Sequence, residues 1–243
     1  MTLKEYCLEI EKFLKEYLTK SHCKAYILGL SGGVDSSLVA AIARKALGKD
    51  KLFCYSLPIH SHPDDSKDAI EVAKALDLNL EVIDLSKTYD SFIENLHGEN
   101  FLQLSKSNLK VRMRMVTLFA FAQEKSGLVL GTDNMDEAYV GYFTKYGDGA
   151  ADVLPIVRLT KAEVVEAAKL YGVPSHLAER TPSAGLFEGQ TDEKEMGIKY
   201  VDLDAYLLGK KVTPDVKKRI EYLHKISAHK RMLIPRTKKF IRN

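Results

Sequence analysis

The chain has 243 residues, of which 45% are apolar and 28% charged, enough to bury a large core within one domain. No apolar run reaches the length of a membrane span and no signal-peptide pattern stands at Met1, so a cytoplasmic protein without a membrane partner is expected. The net charge of +3 is uneven: residues 210–243 hold twelve Lys/Arg against Asp215 and Glu221, a local +10, and the rest carries −7. Such a tail suits nucleic acid, a phosphorylated substrate, an acidic neighbour or a solvated face.

Thr2-Leu3-Lys4-Glu5 reads as a capping box, and Leu3, Tyr6, Ile10, Phe13, Leu14, Tyr17 and Leu18 recur at helical spacing, so a helix is expected to about Leu18. Ala25-Tyr26-Ile27-Leu28 reads as a first strand and Leu38–Ala43 as the following helix. Residues 51–57 give a second strand, and His62-Pro63-Asp64-Asp65 opens a helix with Pro63 in its first turn and acids at its positive end. A third strand is expected over 79–85, helices over 86–96 and 105–125, and a fourth strand over 128–130. Strands alternating with helices predict an α/β fold with a doubly wound parallel sheet covered on both faces. After Ala150 the rhythm turns to helices and loops, with starts at the Thr160-Lys161-Ala162-Glu163 capping box and at Thr213-Pro214-Asp215. Cys7, Cys23 and Cys54 form no Cys-x-x-Cys pair and read as buried reduced thiols.

Between the first strand and its helix lies Gly29-Leu30-Ser31-Gly32-Gly33-Val34-Asp35-Ser36-Ser37. A strand, a glycine turn and a helix start aim backbone N–H groups and a helix dipole at one point, which suits a phosphate. The loop lacks the lysine of the Walker form and the spacing of the Gly-x-Gly-x-x-Gly form. Asp35 would repel a phosphate unless a divalent cation lay between them, so Mg²⁺ bridging to phosphate oxygens is expected. In a parallel sheet this loop and Gly131-Thr132-Asp133-Asn134 share the rim at the carboxyl ends of strands. Glu137 can complete the magnesium site begun by Asp35, with Asp133 and Asp136 as helix-start caps. Arg112 can clamp a carboxylate or phosphate, or stand on the surface; Met113 and Met115 read as core filler. His60 and His62 are either a metal pair or solvent-facing.

Four motifs together resemble NAD⁺ synthetase: the loop above, the Asn108…Arg112-Met113-Arg114-Met115 helix, Gly141–Asp152 (Gly-Tyr-Phe-Thr-Lys-Tyr-Gly-Asp-Gly-Ala-Ala-Asp), and Pro182–Glu193. His229-Lys230-Arg231 also fits the family, and the motifs follow family order from Gly29 to Arg231. The first is shared with other ATP pyrophosphatases; the tyrosine-rich loop and the Ser183-Ala184-Gly185-Leu186 segment are more specific. The resemblance implies an adenine nucleotide alpha hydrolase-like fold and an ATP-dependent amidation of deamido-NAD⁺ by ammonia through an acyl-adenylate. It also implies that Gly29, Leu30, Ser31, Gly32, Gly33, Val34, Asp35, Ser36, Thr132, Lys161 and Ser183 contact ATP. Asp35 and Glu137 would hold Mg²⁺, and Asp35, Glu137 and Lys161 would be the catalytic groups. Arg112, Lys145, Asp152, His229 and Lys230 would contact deamido-NAD⁺. The family is a homodimer whose dinucleotide site lies at the subunit interface.

Ser183 and Phe187 stand where relatives often have threonine and tryptophan, and Val111 where alanine is common. The small-residue segment 183–191 suits a lid, or else a static loop. One domain over 1–243 is expected, without a glutaminase domain, since about 30 residues precede the phosphate loop. The rivals are another ATP pyrophosphatase (a tRNA-modifying thiolase or the amination domain of GMP synthetase) and a non-catalytic nucleotide or RNA-binding module. Thiolases commonly use a cysteine pair, which is absent here, and the family reading calls for no nucleic-acid partner.

Overall fold

A computed structural model describes residues 1–180 and 191–241. Helix α1 (Leu3–Lys20) is capped by Thr2, whose hydroxyl accepts from the Glu5 N–H while Glu5 accepts in return. It runs one residue pair past Leu18, and Leu14 and Leu18 are buried on its inner face. Then come β1 (Ala25–Gly29), α2 (Val34–Leu47), β2 (Leu52–Ser56), α3 (Pro63–Ala75), β3 (Leu80–Val82), α4 (Ser86–Asn95), α5 (Gln103–Glu124) and β4 (Gly127–Leu130). His62 caps α3, its ring nitrogen accepting from the Asp64 N–H at 3.3 Å. The third strand is shorter than expected because Asp84 turns the chain, accepting from the Ser86 N–H at 2.8 Å as α4 begins.

The sheet is parallel throughout, in the order β3-β2-β1-β4. Side chains alternate across it, as the strand period of two requires. Tyr26 and Leu28 join a core built with α1, α2 and α3, where Leu14, Leu38, Ile42 and Val72 are buried. Ile27, Tyr55 and Val129 face the other way, against Ala122 and Leu118 of α5. Tyr55 and Phe121 stack with centroids 4.2 Å apart. The sheet is therefore covered on both faces.

The order also fixes where a ligand can sit. The chain lays β2 and β3 on one side of β1, then returns through α4 and α5 to put β4 on the other. The strand order thus reverses between β1 and β4, and the crevice beyond their carboxyl ends is the switch point where such sheets bind ligands. The remaining described elements are α6 (Met135–Val140), α7 (Lys161–Leu170), α8 (Ser175–Ala178), α9 (Asp192–Met196), α10 (Tyr200–Leu207), α11 (Pro214–Ile226) and α12 (Ala228–Arg231). Helix α7 packs beside α1 and α2 through Val164, Ala167 and Ala168. A smaller core joins Val140, Met196, Ile198, Leu203 and Ile220, tying α6 to α10 and α11. Cys7 and Cys54 are buried and free; Cys23 is half-buried rather than buried, because it lies in the turn before β1.

Candidate active site

The glycine loop leaves β1 at the switch point. Gly32 has φ +86, and a Cβ there would meet Asp68 Cβ at 2.8 Å and the Ala69 nitrogen at 2.9 Å, so only glycine fits under α3. Ser31 and Ser36 shape the turn: their hydroxyls lie 3.1 Å apart, Ser31 Oγ accepts from the Gly33 N–H at 3.2 Å, and Ser36 Oγ donates to the Gly33 carbonyl at 3.0 Å. Gly33 caps α2 with no side-chain partner, so the first-turn N–H groups of a 14-residue helix open onto the crevice.

Asp35 lies in that first turn and Glu137 in the first turn of α6, reached from β4. One cation joins them. Lys161 Nζ donates to Asp35 Oδ2 at 2.5 Å and to Glu137 Oε1 at 3.3 Å, and the lysine is only 5% exposed. Burial alone would lower the Lys161 pKa, but the Asp35 and Glu137 charges outweigh it and hold the ammonium above its usual range. Burial and the neighbouring Asp35 charge push the Glu137 carboxyl up, against the pull of Lys161. Asn134 ties the acids to the backbone: its Nδ2 donates to Asp35 Oδ1 at 2.8 Å, and its Oδ1 accepts from the Glu137 N–H at 3.0 Å. The cap of α6 is thus Asn134, not Asp133 or Asp136. Asn134-x-x-Glu137 is itself a capping-box spacing, and that was the available signal.

The two aspartates do other work. Asp136 is fully buried and its Oδ2 accepts from the Lys161 backbone N–H at 2.9 Å. Asp204 Oδ2 accepts from the Ala162 N–H at 3.1 Å, so both acids hold the start of α7. Their Oδ1 atoms are buried and have no hydrogen-bond partner among the described residues. Burial, then the neighbouring Asp204 carboxyl, raises the Asp136 carboxyl well above the ordinary carboxylate range. Asp133 is also buried, and burial first, then the charges of Asp148, Glu137 and Asp35, push its carboxyl up.

Beyond Glu137 the network reaches α9 and α10. Tyr200 Oη donates toward Glu137 Oε1 at 3.2 Å and Asp192 Oδ2 at 2.9 Å, and Tyr142 Oη reaches Asp192 Oδ1 at 3.1 Å. Neither Tyr200 nor Asp192 was singled out by sequence, since their contacts with Glu137 and Tyr142 join residues 63 and 50 apart. Among the described residues no three His, Cys, Asp or Glu side chains gather as a metal cage. Two carboxylates sharing one cation are the donor set for Mg²⁺ completed by phosphate oxygens, so the residues present fit that ion. His60 and His62 form no metal pair; His60 bonds Asp90 at 2.7 Å, and His62 is the α3 cap.

The residues expected at deamido-NAD⁺ divide. Arg112 donates to the Lys145 carbonyl at 3.3 Å, Lys145 Nζ to the His229 carbonyl at 2.5 Å, and Lys230 Nζ to the Gly141 and Phe143 carbonyls at 2.8 and 2.6 Å. These four residues therefore share one flank of the tyrosine-rich loop. A cavity of about 270 Å³ beside it is lined by His229, Lys230, Tyr142 and Leu223. Asp152 is placed apart, its Oδ2 accepting from the Val129 N–H at 2.8 Å on the edge of β4. Arg112 is exposed; the arginine turned inward is Arg114, which donates to the Leu57 carbonyl at 2.8 Å and to Ser61 Oγ at 3.2 Å. Met113 and Met115 are half-buried rather than core. Thr132 is half-buried at the end of β4. Ser183, Phe187 and the lid assigned to 183–191 lie, but for Thr191, outside the described residues. Their flanks are held: Arg180 pairs with Asp65 at 3.3 Å and with Asp68, and Asp192 binds the two tyrosines.

A glycine loop at a sheet switch point, with paired acids on a buried lysine, defines a phosphate-binding α/β protein. The comparisons with known proteins make this specific. The NAD synthase family model matches residues 6–234, and the chain belongs to that family. It is 44% identical over 233 residues to an NH(3)-dependent NAD(+) synthetase of Mesoplasma florum, covering 95% of each chain. Among solved structures, an NMN synthetase from Francisella tularensis superposes with a TM-score of 0.93 at 36% identity, over 98% of this chain and 100% of that one. An NH3-dependent NAD synthetase from Campylobacter jejuni, in complex with the nitrate ion, superposes at 0.81 with 27% identity, over 98% and 100%.

Proposed function

We propose that this chain amidates the nicotinate carboxylate of deamido-NAD⁺, using ATP and ammonia. The observation that carries the site assignment is the convergence of Asp35 and Glu137, from two separate strand ends, on Lys161 Nζ beside the glycine loop. In the first step a carboxylate oxygen attacks the α phosphorus of ATP, the bond to the bridging oxygen breaks, and pyrophosphate leaves with that electron pair. In the second, ammonia attacks the acyl carbon, the bond to the AMP oxygen breaks, and a proton from nitrogen is lost.

The protein's share is positioning and charge. The α2 N-terminus and the Ser31–Gly33 backbone take the phosphates. Asp35 and Glu137 would hold Mg²⁺, which when bound offsets charge on the phosphate oxygens. Lys161 stands within reach of the same oxygens and keeps its proton at neutral pH. Arg112, Lys145, His229 and Lys230 present positive charge for the second anionic substrate, while Asp152 serves there only through the loop end it fixes. The ammonia-dependent form as one domain accords with the Mesoplasma florum relative. A homodimer accords with exposed apolar residues Leu104 and Val116 on α5 and Leu102 just before it. Among the described residues no helix is long and apolar enough to cross a membrane.

The Francisella tularensis likeness favours a second reading in which the acceptor is the mononucleotide, carrying the same carboxylate without the adenylate half. One assay tests both. Protein, ATP, Mg²⁺ and ammonium are mixed with either deamido-NAD⁺ or nicotinate mononucleotide, and amide, AMP and pyrophosphate are followed. NAD⁺ with stoichiometric AMP supports the first reading, and a kcat/KM favouring the mononucleotide transfers the assignment to the second. ADP in place of AMP, or no amide from either acid, refutes both.

A further inference from the structure

We infer that Tyr200 is a positioning residue for the metal–triphosphate site: its hydroxyl fixes the Glu137 carboxylate and its ring face fixes the Lys161 ammonium. The inference rests on the ATP and Mg²⁺ reading above. Tyr200 opens α10 and is 6% exposed. A buried tyrosine needs one partner for its hydroxyl, and Asp192 at 2.9 Å supplies it. Ordinary core packing requires nothing more. Here the same oxygen also lies 3.2 Å from Glu137 Oε1, and Lys161 Nζ lies 4.9 Å from the ring centroid. One side chain thus touches a proposed metal ligand and the cation beside it from two directions.

The anchoring is rigid. The Tyr200 N–H donates to Glu193 Oε1 at 2.9 Å. Its side chain belongs to the small core with Leu203, Ile198 and Val140, and Val140 ends the helix that carries Glu137. The Tyr142 hydroxyl lies between Asp192 Oδ1 and Glu195 Oε2, so the single Tyr200 proton is divided between Asp192 and Glu137. A carboxylate fixed before the ligand arrives loses less freedom on binding, and that is the advantage a positioning residue confers.

Wild type, Tyr200→Phe and Tyr200→Leu separate the two contacts. Phenylalanine removes the hydroxyl and keeps the ring; leucine removes both. The measurements are Mn²⁺ binding with a non-hydrolysable ATP analogue by electron paramagnetic resonance, steady-state kinetics, and thermal unfolding. In Tyr200→Phe the Mn²⁺–analogue Kd rises roughly tenfold and kcat falls by a similar factor. KM for the nicotinate substrate is unchanged and Tm stays within about 3 °C of wild type. Tyr200→Leu weakens Mn²⁺–analogue binding further. Wild-type binding and turnover in Tyr200→Phe overturns the inference, as does a loss of rate matched by a lost folded fraction. A wild-type protein that binds no Mn²⁺–analogue overturns the reading beneath it as well.

Discussion

Replacing Lys161 by methionine keeps the volume and removes the charge that holds two acids together. Its ammonium sits 2.5 Å from Asp35 Oδ2 and 3.3 Å from Glu137 Oε1, and the side chains of all three residues are at most 17% exposed. At an effective dielectric of about 20, each contact is worth about 5–7 kcal/mol gross. Desolvation of the lysine cancels much of this, but removing one partner strands the others, and such deletions cost about 3–5 kcal/mol. In a chain of this size each kcal/mol moves Tm by about 2–4 °C, so Lys161→Met should melt about 6–20 °C below wild type at pH 8. The sign with pH follows from Glu137, whose carboxyl is already raised by burial and by Asp35. Without the lysine it rises further, so the deficit is largest at pH 8 and shrinks toward pH 5, where a proton replaces the ammonium. Mg²⁺ should raise the Tm of Lys161→Met more than that of wild type, because the pair then lacks its internal cation. Differential scanning fluorimetry across pH and Mg²⁺ reads all three effects. A Tm within about 2 °C of wild type at pH 8, or equal Mg²⁺ responses, refutes the view that Lys161 is the internal counter-ion of the site.

Asp35→Asn should remain folded and lose turnover together with Mn²⁺–nucleotide binding; an active variant removes Asp35 from the metal pair. Lys145→Ala should raise KM for the nicotinate substrate roughly tenfold and leave KM for ATP alone, and the reverse pattern in steady-state kinetics defeats the substrate assignment. Asp136→Asn mimics the protonated form of a carboxyl raised from 3.8 to about 9, first by burial and next by the neighbouring Asp204 carboxyl. In that window the folded state keeps a proton the unfolded chain has lost, so wild-type stability falls as pH rises. The advantage of the variant over wild type should widen from pH 5 to pH 8.5, and parallel curves of Tm against pH exclude a proton held on Asp136 in the folded state.

Local chemistry made much of the fold legible. Capping boxes at Thr2 and Thr160 and the Pro63 and Pro214 helix starts declare themselves within four residues, and the structure has helices at each. The phosphate loop was legible because a strand, glycines and a helix start lie next to one another. The errors came where one residue decides. The α6 cap fell to Asn134 because three acids crowd the same turn and only Asn134 has Glu137 at the third helical position. Arg114, which the sequence did not single out, lies two residues from Arg112 and hence on another face of α5, and α5 buries too little to show which face is inner. Tyr200 was unreadable in principle: its contact with Glu137 joins residues 63 apart, and only tertiary packing brings them together.

That distance bears on why an aspartate can live in a phosphate cradle at all. Asp35 is not left facing a ligand of its own sign. Asn134 holds one of its oxygens and Lys161 the other, both delivered from elements beyond β4. The acid is thus neutralised by the fold before any ligand enters. On the proposed reading, Asp35 and Glu137 would hold Mg²⁺, which would supply positive charge at the carboxylates, and the Lys161 charge would serve the phosphates. Tyr200 limits the ammonium from one side, its ring centroid 4.9 Å from Nζ. The buried acid pair at the start of α7 sets the other limit by fixing the backbone of Lys161 itself. Asp35 and Glu137 thus have a positive charge between them in the folded chain before any metal is bound.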